Sequence, residues 1–422
     1  MLRIVPWVMV VVVTAASFGC LGRRGSHSPV AAGLNTRDLY DLPAQADADR
    51  AFAPILTGQR TGLNRSNPSP RVNGRNVLCL SGGGAYGAYS AGVVCGWTCR
   101  GDRPQFDVVT GISTGALIAP FAFLGSACDQ TLERFYTTLT KSDVYRLRPV
   151  RGFVSESFAD NTPLARTLDK VVTDDMVRAI AAEHDRGRRL YVGTTEVEGR
   201  RFVVWDIGAI ARRDPAGSRS LIVQILLGSS AIPGFFGSQS IPVTIDGKSY
   251  VERHVDGGVS QSLFFRPPSI PPGSPPSAEL LQGTNVYVIV AGKLYMDPEP
   301  VKPRALKVAT QTTEAVLYAQ CRGDLTRLWT ACQLAGMNFH VTAIPSDFPA
   351  PKMSTDFDPP TLRAMFDEGL RQIQAGAWRT SPPGTQPGEE VLVREGTDLN
   401  WAPRVPIPER SGFPFVTPKD AR

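Results

Sequence analysis

Twice near the start of its ordered-looking part, the chain runs from a short apolar strand through a glycine turn into a helix. Val77-Leu78-Cys79-Leu80 leads into Ser81-Gly82-Gly83-Gly84 and a helical pattern from Ala85 to Trp97. Phe106 to Thr110 leads into Gly111-Ile112-Ser113-Thr114-Gly115 and an apolar helix, Ala116 to Leu124. Strands that alternate with helices pair in parallel, because each crossover helix returns the chain to the same end of the sheet. The expected class is therefore α/β. In the first helix Ala88, Ala91, Gly92 and Cys95 fall at i, i+3, i+4 and i+7. This face of small residues lets a helix lie close against a sheet.

Downstream, Thr131 to Leu139 and Pro163 to Glu183 read as helices. Arg189 to Thr195 and Phe202 to Trp205 read as paired strands, and Leu221 to Leu227 as a helix. Tyr250 to Val255 and Val286 to Val290 read as strands, and Lys307 to Ala335 and Pro360 to Ala375 as closing helices. The run from Arg266 to Pro276 is too rich in proline for a central strand and reads as a loop. No internal repeat is present.

The first glycine turn, Gly82-Gly83-Gly84-Ala85-Tyr86-Gly87, fits G-x-G-x-x-G after a strand and before a helix. A dinucleotide site also needs an acid at the far end of the next strand to hold the ribose. Asp107 sits near the start of that strand, and Thr110 and Gly111 occupy its far end. The same glycines suit another task equally well. Bare N–H groups at a helix start converge on negative charge, which is what an oxyanion hole needs.

The second turn is G-x-S-x-G in the strand-to-helix context of a nucleophile elbow. Gly111 and Gly115 remove side chains that would collide, and Ser113 stands at a helix N-terminus. A serine that merely caps the helix is the alternative. Such a nucleophile needs a base. The four histidines, His27, His184, His254 and His340, lack any surrounding motif. Asp256-Gly257-Gly258 closes the strand Tyr250 to Val255. Alone it reads as a plain Asp-Gly turn; beside the two glycine turns it becomes the candidate base.

These three segments, in this order and spacing, resemble the patatin-like phospholipases. Ser229-Ser230-Ala231-Ile232-Pro233-Gly234-Phe235-Phe236 is similar to the family's Ala/Ser-rich segment before the aspartate. The resemblance spans about residues 75–380. It implies a three-layer α/β/α domain with a mostly parallel central sheet. It implies a Ser113–Asp256 dyad, an oxyanion hole from Gly82, Gly83, Gly84 and Thr114, and hydrolysis of lipid acyl esters without metal or cofactor. Tyr86 departs from the pattern, since the family usually carries Arg or Lys there. A catalytically silent lipid-binding protein and an acyltransferase using the same dyad are the competing expectations. Phe235 and Phe236 are candidates for the acyl-chain entrance, although phenylalanines are more commonly core.

The flanks suggest where the chain works. Arg3, the apolar run Ile4 to Ala16 and Ser17-Phe18-Gly19-Cys20 have the order of a secretory signal. Cys20 after Gly19 resembles a bacterial lipoprotein cleavage site, with Cys20 lipidated. The expected organisation is a signal peptide over 1–19, a tether over 20–74, an acyl hydrolase domain over 75–380 and a Pro-rich tail over 381–422. An extracytoplasmic, membrane-anchored lipoprotein of a bacterial envelope follows, with membrane lipid or lipid esters as substrate. The formal charge of +6 suits an anionic membrane surface and gives no sign of a nucleic-acid partner. Beyond Cys20, six cysteines remain, open to disulfide pairing or to buried free thiols.

Overall fold

The computed structural model describes residues 75–383, apart from 149–155, 215–216, 246, 266–280, 296, 298–299 and 302–304. The signal, tether, Cys20, the proline-rich loop and nearly all of the tail lie outside the described residues. In chain order the strands are β1 (Asn76–Leu80), β2 (Val108–Ile112), β3 (Arg146–Leu147), β4 (Ser157–Asp160), β5 (Arg189–Glu196), β6 (Arg201–Asp206), β7 (Gly234–Phe236), β8 (Gln239–Ile245), β9 (Lys248–Asp256), β10 (Asn285–Val290) and β11 (Asn338–Ala343). The helices are α1 (Gly87–Arg100), α2 (Thr114–Leu124), α3 (Asp129–Thr138), α4 (Lys141–Val144), α5 (Thr162–Val171), α6 (Asp174–Asp185), α7 (Ile207–Arg213), α8 (Ser218–Ser229), α9 (Ala305–Leu334) and α10 (Pro359–Gln374).

The main sheet has the order β11-β10-β1-β2-β5-β9-β8, with β6 also paired to β5. From β11 to β5 every pairing is parallel, as the strand–helix alternation predicts. β6 and β9 then pair antiparallel with β5, and β8 antiparallel with β9. Strand alternation divides the core between two faces. Leu78, Leu80, Val109 and Ile289 pack under α1, α2, α6, α8 and α10. Val77, Cys79, Val108 and Val288 pack under α9 through Leu325, Leu328 and Cys332. Helices thus cover both faces of the sheet.

The small face of α1 is used, but mostly against another helix. A Cβ added at Gly92 would sit 1.9 Å from the Phe366 carbonyl oxygen of α10. The single helix expected from Pro163 to Glu183 is two helices. Val172 ends one and Thr173 caps the next, its hydroxyl accepting the Met176 N–H at 3.2 Å. His340 lies within β11. The six cysteines beyond Cys20 are free thiols, with Cys79, Cys95 and Cys332 buried.

Candidate active site

All five residues of β2 are buried, and the strand delivers Ser113 directly to the start of α2. Ser113 adopts φ 53° and ψ −124°, a conformation that costs a non-glycine residue about 1–3 kcal/mol. The surroundings enforce it. The Ser113 carbonyl accepts the Ala116 and Leu117 N–H groups at 2.9 and 3.2 Å, which starts the helix. Its own N–H donates to Ser229 Oγ at 2.9 Å, and that hydroxyl donates to the Gly193 carbonyl at 2.7 Å. Gly115 is required here, because a Cβ would fall 2.4 Å from the Leu80 carbonyl oxygen at the end of β1.

β5 places the aspartate. Ile112 of β2 pairs with Gly193, and Asp256 of β9 pairs with Thr194. Residues 191–196 of β5 give their other edge to β6. β2 and β9 therefore share one edge and meet tip to tip, with Ser113 at one tip and Asp256 at the other. Asp256 is also fixed through its N–H, which donates to the Ala231 carbonyl at 2.9 Å. Its Oδ1 accepts the Gly258 N–H at 2.7 Å, and the Ser113 side chain is near enough to favour the charged carboxylate. Burial pushes the Asp256 pKa up to about 6, against the opposing effects of the Ser113 side chain and the Gly258 N–H.

The glycine loop lies against the serine, with Gly82 close enough that an added Cβ would reach Ser113 Cβ at 3.2 Å. Gly82 N–H, expected among the oxyanion donors, donates to the Ser262 carbonyl at 3.4 Å. Among the described residues no acceptor meets the N–H groups of Gly83, Gly84 or Thr114. Gly84, Ser113 and Thr114 face one cavity. Its wall is mainly apolar, built by Leu117, Phe135, Leu139, Val144, Leu164, Ile232, Phe236 and Phe357. Phe236 is thus in the cavity. Phe235 is not in its wall; its ring packs edge-on against Tyr145 at 4.9 Å.

Three features add to what the sequence patterns indicate. Thr114 Oγ1 and the Tyr136 hydroxyl lie 2.6 Å apart, and Tyr136 also meets the Thr114 carbonyl at 2.9 Å. Ser229 anchors the elbow. A strap between β11 and α10 brings Ser354, Thr355 and Phe357 to the cavity. The strap is tied to the glycine turn, where the Ala85 N–H donates to the Ser354 carbonyl and the Tyr86 hydroxyl to the Pro351 carbonyl, both at 2.7 Å. Gly84, at φ 54°, leaves room for it, since a Cβ would fall 2.2 Å from the Ser354 oxygen.

The three described histidines make their contacts away from Ser113. His254 is fully buried between Thr194 Oγ1 at 2.9 Å and Glu252 Oε2 at 3.2 Å. His184 lies in the last turn of α6, with Nδ1 3.5 Å from Asp206. His340 stacks on Tyr287 with centroids 4.8 Å apart.

Residues 78–268 match the family model of the patatin-like phospholipases. That span holds the glycine turn, the elbow, Ser229 and Asp256, and it ends before the strap. Among solved structures, VipD from Legionella pneumophila aligns over 73% of this chain and 68% of its own, at 11% identity and a TM-score of 0.31. That overlap is too loose to argue from. No curated protein matches the chain.

Proposed function

With residues 78–268 forming a patatin-like phospholipase domain, we propose that the chain is a serine hydrolase cleaving lipid acyl esters through Ser113 and Asp256. The strand register that brings Ser113 and Asp256 to adjoining tips, at the edge of a largely apolar cavity, carries this reading. Asp256 takes the hydroxyl proton as Ser113 Oγ attacks the ester carbonyl carbon. The carbonyl electrons move to oxygen, and the N–H groups of Gly83, Gly84 and Thr114 meet the resulting oxyanion. Collapse breaks the bond to the alkoxy oxygen, which departs with the proton held by Asp256. Water then gives a proton to Asp256 and attacks the acyl-enzyme, and Ser113 recovers its proton as the fatty acid leaves. A carboxylate of ordinary pKa is a weak base for an alcohol, so the raised Asp256 pKa helps both steps.

The acyl chain lies along the apolar wall that includes Phe236 and Leu117. The test is a hydrolysis screen over short esters, lysolipids and diacyl phospholipids, with Ser113→Ala as the blank. Fatty acid release by the native chain alone is expected, together with fluorophosphonate labelling of Ser113. A chain that neither labels nor hydrolyses any of these would be the silent lipid binder. A chain that passes the acyl group to an added alcohol in preference to water would be the acyltransferase.

A further inference from the structure

Ser230 is nine-tenths buried and lies in the wall of the Ser113 cavity. It carries the one buried side-chain oxygen of that wall without a hydrogen-bond partner among the described residues. Its neighbours touch both members of the proposed dyad. Ser229 accepts the Ser113 N–H, and the Ala231 carbonyl accepts the Asp256 N–H. The Ser230 backbone is itself fixed at the end of α8, where its N–H donates to the Leu226 and Leu227 carbonyls at 3.1 Å each. A hydroxyl held this firmly, desolvated and unpaired, is unfavourable in the free protein. It is compensated when a ligand in the cavity supplies an acceptor. Rotation about one torsion lets the O–H follow that acceptor.

We propose that the Ser230 hydroxyl is a substrate-contacting group that donates a hydrogen bond to the ester of the bound lipid. It acts beside the N–H groups of Gly83, Gly84 and Thr114. This inference rests on the acyl hydrolase reading above. Two other hydroxyls of the cavity, those of Thr114 and Tyr136, already hold each other. Ser230 therefore has a donor to offer that no neighbour takes up.

The test compares the native chain with Ser230→Ala in two measurements. The first is hydrolysis of p-nitrophenyl butyrate and of a lysophospholipid; the second is thermal unfolding without substrate. Loss of one preorganised donor typically lowers the rate by about 10²–10³. A fall in kcat/KM of about tenfold or more on both substrates is therefore expected from a neutral hydroxyl. Tm should hold or rise, because the variant deletes an unpaired buried group. Ser230→Thr, which keeps the hydroxyl, should recover activity on the short ester. Activity of Ser230→Ala within about twofold of native would overturn the assignment. So would a loss of activity matched by a fall in Tm, which marks a structural hydroxyl. If the native chain itself neither hydrolyses these esters nor labels at Ser113, it is the acyl hydrolase reading that fails.

Discussion

The N–H of Ser113 donates to Ser229 Oγ at 2.9 Å, and through that hydroxyl the elbow is tied to the Gly193 carbonyl of β5. The strained backbone of Ser113 is thus held by a side chain from another helix. Ser229→Ala leaves a buried donor and a buried acceptor without partners. A destabilisation of about 2–4 kcal/mol follows. The elbow should also relax, with kcat falling roughly 10–100-fold. Denaturant unfolding and steady-state kinetics on one sample check both. A variant as stable and as active as the native chain would show that Ser229 holds nothing.

Asp256 links activity and stability with opposite signs. As a base it must be ionised, so kcat/KM should fall about tenfold per pH unit below a midpoint near 6. Its folded pKa lies above the ordinary value of 3.8. Its contribution to stability is therefore complete below about pH 4 and is lost as pH rises through about 6. Two units correspond to a penalty on the order of 3 kcal/mol at neutral pH. Asp256→Asn should abolish hydrolysis while raising Tm at pH 7 to 8, and the gain should vanish near pH 4. A pH-independent Tm difference would contradict the buried, ionised carboxylate.

The contrast between Ser113 and Ser230 shows how much of the site the sequence carries. A nucleophile elbow is local: strand, glycines, serine and helix are consecutive, so G-x-S-x-G can be read directly. The parallel part of the sheet is legible for the same reason, since each βα unit is a contiguous pattern. What brings Asp256 to Ser113 is the pairing of Thr194 with Asp256 beyond Gly193, a register between distant strands. The Asp-Gly-Gly motif beside the two glycine turns, and the family resemblance, point to Asp256 without that register. The short strands β3, β4 and β7 and the strap from 345 to 358 have no periodicity to detect. The contact of Gly82 N–H with the Ser262 carbonyl likewise spans a long sequence separation.

Tyr86 stands where the resembling family has a basic residue, and its hydroxyl is spent on the Pro351 carbonyl. The departure exchanges a local positive charge for a tether between the glycine turn and the strap. Tyr86→Phe removes one neutral hydrogen bond, worth about 1 kcal/mol. Amide exchange across 352–357 should then speed up while α1 keeps its protection. Short esters, which need little of the wall built by Phe357, should be hydrolysed within a few-fold of the native rate. Unchanged exchange in the strap would mean that the Lys141–Asp356 ion pair at 2.5 Å and the Tyr145 bond to the Thr355 carbonyl suffice to hold it.

Lipidation of Cys20 remains the proposal for anchoring, from the apolar run and small residues that precede it. Cys20→Ser should release the protein from the membrane fraction or trap a larger precursor. Unchanged processing together with unchanged membrane association would remove the lipoprotein from the proposal.

The dyad itself makes the most demanding prediction. His254 lies two residues before Asp256 on the same strand and is the histidine a triad would recruit. Its ring is already committed. Burial holds it neutral, and Trp205 Nε1 donates to Thr194 Oγ1 at 2.8 Å. The threonine hydroxyl can then donate to His254 Nδ1, leaving Nε2–H for Glu252 Oε2. Nothing in that arrangement reaches Ser113. His254→Gln, which keeps polar atoms near both partners, should retain hydrolysis within about tenfold once folding is confirmed by circular dichroism. Ser113→Ala and Asp256→Asn should each lose about 10³-fold or more, and the double variant should lose no more than either alone, because the two residues act as one unit. A triad enzyme loses several orders of magnitude when its histidine is removed. A loss of that size in folded His254→Gln, His184→Ala or His340→Ala would replace Asp256 as the base while leaving Ser113 as the nucleophile.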